Sequence, residues 1–264
     1  MRRRFFVDQV RNGQARISGD DARHLTRVLR VEPGQRYEIS DNRNVFLAEI
    51  ETAHKEHVVF QTIEKLPPPA PQARIILCSA LIKFDHFEWM IEKATELGVA
   101  KIVPVIAARS EHGLERAAQK RVERWRRIAL EASQQSRRAH LPEVDDPVDL
   151  RQTLAISATH RYVLDEDPAA PPLATLLPDK RETADEIAIV IGPEGGWTDD
   201  ERAAFGLAAG WTAVSLGPTI LRAETAAIAA LAFVSLSWRT HSITPEITAD
   251  SDSIATASLE APLH

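Results

Sequence analysis

The chain holds one cysteine, two methionines and two tyrosines in 264 residues. A single thiol, Cys78, excludes an internal disulfide framework. Long apolar runs are missing too: the longest uncharged apolar stretch, Thr225 to Trp238, spans 14 residues, short for a membrane span and typical of a buried helix. The N-terminus "MRRRFFV" is basic but lacks the apolar segment of a secretory signal. These absences imply a reducing, cytoplasmic setting without membrane insertion. Metal ligands are scarce as well. His54 and His57 are not spaced as a helical i, i+4 pair, they fall in a strand-like segment, and no cysteine or acid cluster joins them, so no metal site is expected. Cys78 sits in an apolar strand pattern with no base nearby, which reads as a buried thiol rather than a nucleophile.

What is present is enough hydrophobic residue, 44%, to fill a sizeable core in two modest domains or one large one. The net charge of −6 hides a strong asymmetry. Met1 to His140 carries 25 lysines and arginines against 18 acids, whereas the remainder carries 7 against 20. A basic front half joined to an acidic back half suggests a polyanion-binding part and a part that handles something else; solvated surface charge is the plain alternative.

"KLPPPAPQ", Lys65 to Gln72, cannot join a helix or a central strand and marks a stiff connector. Residues 1–70 before it read as short strands ("RRFFV", "QARIS", "QRYEIS", "VFLAEIE", "HVVFQTI") with one helical insert, "DDARHLTRVLR", a pattern that fits a small β-barrel. Ten arginines against six acids between Met1 and Arg43 make this module a candidate RNA surface, with Arg23, Arg27 and Arg30 near one helical face. The same helix could equally just cap the barrel.

From 71 to 240 strands and helices alternate, which implies an α/β domain with a largely parallel sheet. A long helix is expected over "ERAAQKRVERWRRIALEASQQSRR", packing through Ala118, Val122, Trp125, Ala129 and Ala132 and presenting Arg116, Lys120, Arg124 and Arg127 on a basic face. Residues 241–264 have no lysine or arginine and few large apolar groups, the pattern of a disordered tail.

Two Gly-containing loops each end a strand and open a helix: "IGPEGGWTDDE" from Ile191 and "SLGPTILRAETAAIAAL" from Ser215. Neither G-x-G-x-x-G nor a P-loop lysine is present, and Glu194, Asp199, Asp200 and Glu201 crowd the place a phosphate would want. Thr198 and Glu201 form a capping box that needs no ligand. The glycines are left over: a tight turn alone explains them, or a close approach to a ligand does. Two such loops on adjacent strand ends would wall one pocket, suited to an adenosine-type ligand without phosphate.

"IGPEGGWTDDE", "LGPTILRAETA", "MIEKATELGV", "EASQQSRR", Arg109–Ser110, Arg124–Trp125, "RRFFV" and "HLTRVLRVEPG" together resemble the RsmE family, the 16S ribosomal RNA uracil-N3 methyltransferases, in the same order from Arg3 to about Leu231. The resemblance implies a PUA-like N-terminal RNA-binding barrel, a C-terminal SPOUT domain with a trefoil knot, S-adenosylmethionine as methyl donor, a homodimer, and 16S ribosomal RNA of the small subunit as partner. It also implies a donor site at Leu164, Ile191, Gly192, Gly195, Gly196, Leu216, Gly217, Ile220, Leu221 and Arg222. Two places depart from the family: "NRN" at Asn42 to Asn44 stands where a glycine turn is usual, and Phe84 and His86 stand where a small and a basic residue are usual.

Methylating uracil N3 requires loss of an imide proton, and a fixed cation can stabilise the charge left on the uracil oxygens. Arg222 is the candidate for that cation and Glu224 the nearest carboxylate for a general base; a capping role for Arg222, an anchoring role for Glu224, and proton loss to solvent are the alternatives. Arg109, Arg137 and Arg138 are candidate RNA contacts near the site, or solvated charge. A SPOUT enzyme acting on another RNA or base, and a non-catalytic RNA-binding assembly factor, are the competing functions.

Overall fold

The structure, a computed structural model, describes residues 3–167, 169–208 and 210–241. The tail expected over 241–264 falls, beyond His241, outside the described residues.

Alternating apolar residues build the first sheet. It comprises β1 (Arg4–Phe6), β2 (Gln14–Ser18), β3 (Arg36–Ser40), β4 (Val45–His54) and β5 (His57–Lys65), with α1 (Gly19–Arg27) inserted after β2. In β2 the pattern is strict: Ala15 and Ile17 point inward and their neighbours outward. The order is β1-β3-β4-β5-β2, with β1 parallel to β3 and the other pairs antiparallel. Register shifts in β4 at Leu47/Ala48 and Ile50/Thr52 bend the ladder. Since β1 and β2 remain edges, the sheet is a curled half-barrel and not a closed one. Phe5, Ile39, Ile50, Val58 and Phe60 fill it.

The second sheet follows the proline connector. Its elements are β6 (Arg74–Ala80), α2 (Phe84–Glu96), β7 (Lys101–Ile106), α3 (Leu114–Ala118), α4 (Val122–Gln135), β8 (Glu143–Val144), β9 (Val148–Asp149), α5 (Leu150–Leu154), β10 (His160–Leu164), β11 (Glu186–Ile191), α6 (Asp199–Leu207), β12 (Trp211–Val214) and α7 (Ala223–His241). Every strand pair is parallel, in the order β12-β10-β11-β6-β7-β8, with β9 also on β7. Helices cover both faces, so the strands are apolar throughout. Ile75 and Leu77 pack toward α2, α4 and α7, while Ile76 and Cys78 pack toward Trp197, Phe205 and Trp211. Burial pushes the Cys78 thiol far above its ordinary range, which leaves it inert.

β12 lies at one edge of this sheet, yet α7 returns to pack on β6 and β11 in its middle. Between them the chain crosses the β10–β11 connection: the Leu173 N–H donates to the Ser215 carbonyl at 2.9 Å, and the Ser215 N–H donates to the Pro171 carbonyl at 2.9 Å. This is the crossing that the expected trefoil knot needs, and ordinary connection rules would not suggest it.

Three expectations need correction. The long helix over 115–138 is broken: α3 passes into a 3-10 turn at Gln119–Arg121, which sets Arg121 4.4 Å over the Phe84 ring, and α4 ends at Gln135. Two of the four residues of its basic face, Arg124 and Arg127, are neutralised. Arg124 donates to both carboxylate oxygens of Glu88 at 2.7 and 2.8 Å, and Arg127 meets Asp21 and Glu131, each at 3.2 Å. A short helix, α5, was not anticipated, although Asp149 and Gln152 form a full capping box.

The two sheets are joined by polar contacts from the segment after α4. Glu38 accepts hydrogen bonds from Arg4 at 2.7 Å and from Arg137. Ser40 Oγ donates to the Ala139 carbonyl at 2.6 Å. Asn42 adopts a left-handed φ of 64° and accepts from the Leu141 N–H at 2.7 Å, so this asparagine turn also ties down the junction.

Candidate functional site

Parallel sheets gather ligands beyond the carboxyl ends of their strands. Three such ends, of β10, β11 and β12, converge on a cavity of about 460 Å³. Leu164 and Ile191 floor it where β10 and β11 stop, and Leu216 and Leu221 close it from the second loop. Of the ten expected pocket residues, Leu164, Ile191, Gly192, Gly196, Leu216, Gly217, Ile220 and Leu221 line the cavity. Gly195 and Arg222 are not among its lining residues.

Local chemistry explains how the first loop reaches the cavity. The Gly196 N–H donates to the Pro193 carbonyl at 2.8 Å to close a turn, and Gly196 takes a φ of 65°, which a side chain would strain. A Cβ there would also sit 2.5 Å from Glu166 Oε1. At Gly192 the constraint is contact: a Cβ would lie 3.1 Å from the indole of Trp197, whose Nε1–H donates to the Leu164 carbonyl at 3.1 Å. Behind the turn, Arg109 donates to the carbonyls of Gly195 at 3.0 Å and Trp197 at 3.2 Å. The loop then enters α6 through the expected capping box of Thr198 and Glu201. Glu201 also accepts from the Ala108 N–H at 2.8 Å, so one buried carboxylate caps the helix and holds the loop after β7.

The third wall was not anticipated. Asp165, Glu166 and Asp167 follow β10 directly, with Ala170 and Pro172 beyond them. Their place in the first three positions past a strand end was the signal that could have found them. Asp165 is held by Arg202 at 3.1 Å, and Glu166 lies 3.6 Å from the same guanidinium. Glu194 stands exposed on the lining opposite. An apolar chamber with a carboxylate rim repels phosphate and suits a cationic, nucleoside-sized ligand.

Arg222 is exposed, and its carbonyl accepts from the Ala226 N–H at 2.8 Å at the start of α7. Glu224 faces His86 rather than Arg222: Oε1 is 3.1 Å from His86 Nδ1. Elsewhere, Arg27 and Arg30 are exposed beside the half-barrel, and Arg23 is paired with Asp20. Arg137 and Arg138, expected near the site, lie instead at the junction between the sheets. Arg138 donates to the Thr95 carbonyl at 2.7 Å and to the His140 carbonyl at 3.1 Å, and burial lowers its guanidinium to about 10.

The comparisons with known proteins agree with this arrangement. The RNA methyltransferase domain model matches residues 68–235, and the RNA methyltransferase PUA domain model matches residues 17–63. The Ribosomal RNA small subunit methyltransferase E of Synechocystis sp. is 33% identical over 85% of this chain and 74% of its own length. That of Bacillus subtilis is also 33% identical, over 83% and 88%. The crystal structure of a Ribosomal RNA small subunit methyltransferase E from Neisseria gonorrhoeae bound to S-adenosyl methionine superposes with a TM-score of 0.79 at 28% identity, covering 90% of this chain and 98% of that one. The half-barrel, the parallel sheet with its crossed return, and the match over most of the chain place this protein in the ribosomal RNA small subunit methyltransferase E family, with a PUA-like N-terminal domain and a SPOUT-type methyltransferase domain.

Proposed function

We propose that the protein transfers the methyl group of S-adenosylmethionine to N3 of a uridine in 16S ribosomal RNA of the small subunit, in the cytoplasm and as a homodimer. The observation that carries this reading is the pocket between the two glycine loops, which opens at the carboxyl ends of β10, β11 and β12. Its residues fit the donor. Leu164, Ile191 and Leu216 offer apolar walls for an adenosine, backbone amides of the glycine loops offer polar contacts, and the carboxylates of Glu166 and Glu194 favour a cationic ligand. When bound, the donor supplies an electrophilic methyl group on a sulfonium.

The chain's own work is positioning and electrostatics. Gly192 and Gly196 let the loop approach closely, and Arg109 holds that loop from behind. Arg222, exposed at the lip, is assigned to the uracil oxygens that gain charge as the imide proton leaves. Glu224 is buried against His86, which supports an anchoring role better than proton removal, and the proton then passes to solvent. Arg23, Arg27 and Arg30 are assigned to RNA phosphates on the 1–70 module, and the chemistry to 71–240. Arg109, Arg137 and Arg138 are reassigned from RNA contact to structure. A second copy suits the outward side of α7, where Phe233 and Leu236 are exposed among alanines.

The test is to incubate the protein with labelled S-adenosylmethionine and 30S subunits from a strain lacking the modification, then map the product by mass spectrometry. A methyl group on one uridine N3 of 16S ribosomal RNA is expected, and one on any other atom overturns the reading.

A further inference from the structure

α7 begins immediately after the second pocket loop, and its first-turn carboxylate has an incomplete set of partners. The Glu224 side chain is 10% exposed; Oε1 lies 3.1 Å from His86 Nδ1, on the first turn of α2, and Oε2 is buried without a hydrogen-bond partner among the described residues. A buried carboxylate needs compensation. The N-terminus of α7 supplies part of it through the helix dipole, and His86 is the side chain that meets it. The charged groups facing His86 are few. Glu224 comes from α7, and Asp85 on its own helix lies 3.7 Å from Nε2 and is mostly exposed. Glu88 is already taken by Arg121 and Arg124, and Arg222 stands exposed two residues before Glu224.

We propose that His86 is a positioning residue for the methyl-donor pocket, holding the first turn of α7 through Glu224, and that its hold is strongest when the imidazole is protonated. Ala223 and Ala226 of that turn line the cavity, and Leu221 lies just before it. As imidazolium, His86 gives Glu224 a charge-assisted bond; as neutral imidazole it leaves the carboxylate with a weaker one and an unanswered charge. The turn then loosens, and donor affinity falls when the proton is lost. A residue with a fixed positive charge at this place would not confer that dependence.

The inference rests on the pocket taking S-adenosylmethionine, and the test separates the two. Dissociation constants for S-adenosylmethionine would be measured by calorimetry on the full chain from about pH 5.5 to about pH 8.5, where imidazole changes charge. The wild type would be compared with His86→Lys, His86→Gln and Glu224→Gln. The ligand's own amino group titrates equally in all four. Relative to His86→Lys, the wild type should lose affinity by about fivefold across the range, the difference between a charge-assisted and a neutral hydrogen bond. His86→Gln and Glu224→Gln should run parallel to His86→Lys, because neither holds a titrating pair. Equal slopes in all four proteins overturn the role of His86, since a tie between helices that only supports the fold would shift melting temperature without changing slope. Absence of binding to the wild type at every pH overturns the donor reading, and this proposal with it.

Discussion

Gly192 and Trp197 face each other across the turn of the first pocket loop, so closely that a Cβ on Gly192 would stand 3.1 Å from two atoms of the indole. The indole cannot easily retreat. It is 2% exposed, bonded to the Leu164 carbonyl, and stacked edge-on to Phe205 with centroids 5.2 Å apart. Gly192→Ala therefore overpacks a rigid contact, at a cost of about 1–3 kcal/mol. The strain falls where Ile191, Gly192 and Trp197 all line the cavity, so S-adenosylmethionine should bind about tenfold more weakly while the chain stays folded, each tenfold being about 1.4 kcal/mol. Calorimetry checks this, and unchanged affinity would show that the loop can absorb a methyl group.

Acid should loosen the joint between the two sheets. Burial alone would raise the Glu38 carboxyl, but hydrogen bonds from Arg4 and Arg137 outweigh it and hold the group below the usual carboxylate range. A carboxylate whose pKa is depressed by folding contributes stability that is present above its unfolded value and is lost as pH falls through the folded one. Stability measured by urea unfolding should thus drop below about pH 4.5, and Glu38→Gln should remove part of that drop while lowering stability at neutral pH by about 1–3 kcal/mol. An acid limb of the same size in the variant would sink the assignment.

Local features were legible in the sequence and long-range ones were not. The Thr198–Glu201 capping box spans four residues and was expected as found. The glycine loops carried their own signal, because glycine clusters at strand ends need a reason. By contrast Glu38 and Arg137 are 99 residues apart, and nothing in their local sequence pairs them. For the same reason Arg137 and Arg138 looked like free cations until the junction occupied them. Asp165, Glu166 and Asp167 had no motif, only a position beyond β10. The open edge of the half-barrel follows from pairing, which strand periodicity does not report.

Binding of RNA to the half-barrel should show in its salt dependence. Arg27 and Arg30 are exposed, whereas Arg23 already shares its charge with Asp20. If the first two meet phosphates, Arg27→Ala with Arg30→Ala should lower the slope of log affinity against log salt by about 1.4 to 1.8, since each phosphate contact contributes roughly 0.9 on duplex and 0.7 on single-stranded nucleic acid. Arg23→Ala should change it less. Filter binding to 16S ribosomal RNA fragments over a salt series measures this, and identical slopes would place the RNA surface elsewhere.

Arg222 presents the sharpest choice between catalysis and structure. Its carbonyl helps start α7 whatever side chain it carries, since the bond from the Ala226 N–H uses only backbone. Its exposed guanidinium lies outside the cavity lining, so removing it should leave donor affinity nearly unchanged. If the guanidinium stabilises charge on the uracil oxygens, Arg222→Ala should lower kcat by about a hundredfold, the usual loss when one preorganised donor is deleted. Arg222→Lys should recover part of it, because a point charge survives while the planar donor pair does not. Methyl transfer to 30S subunits, read beside calorimetry with S-adenosylmethionine, separates the outcomes. A loss of donor affinity equal to the loss of rate would make Arg222 a part of the pocket wall, and the stabilising cation would then have to come from the RNA-facing surface or from a second copy of the chain.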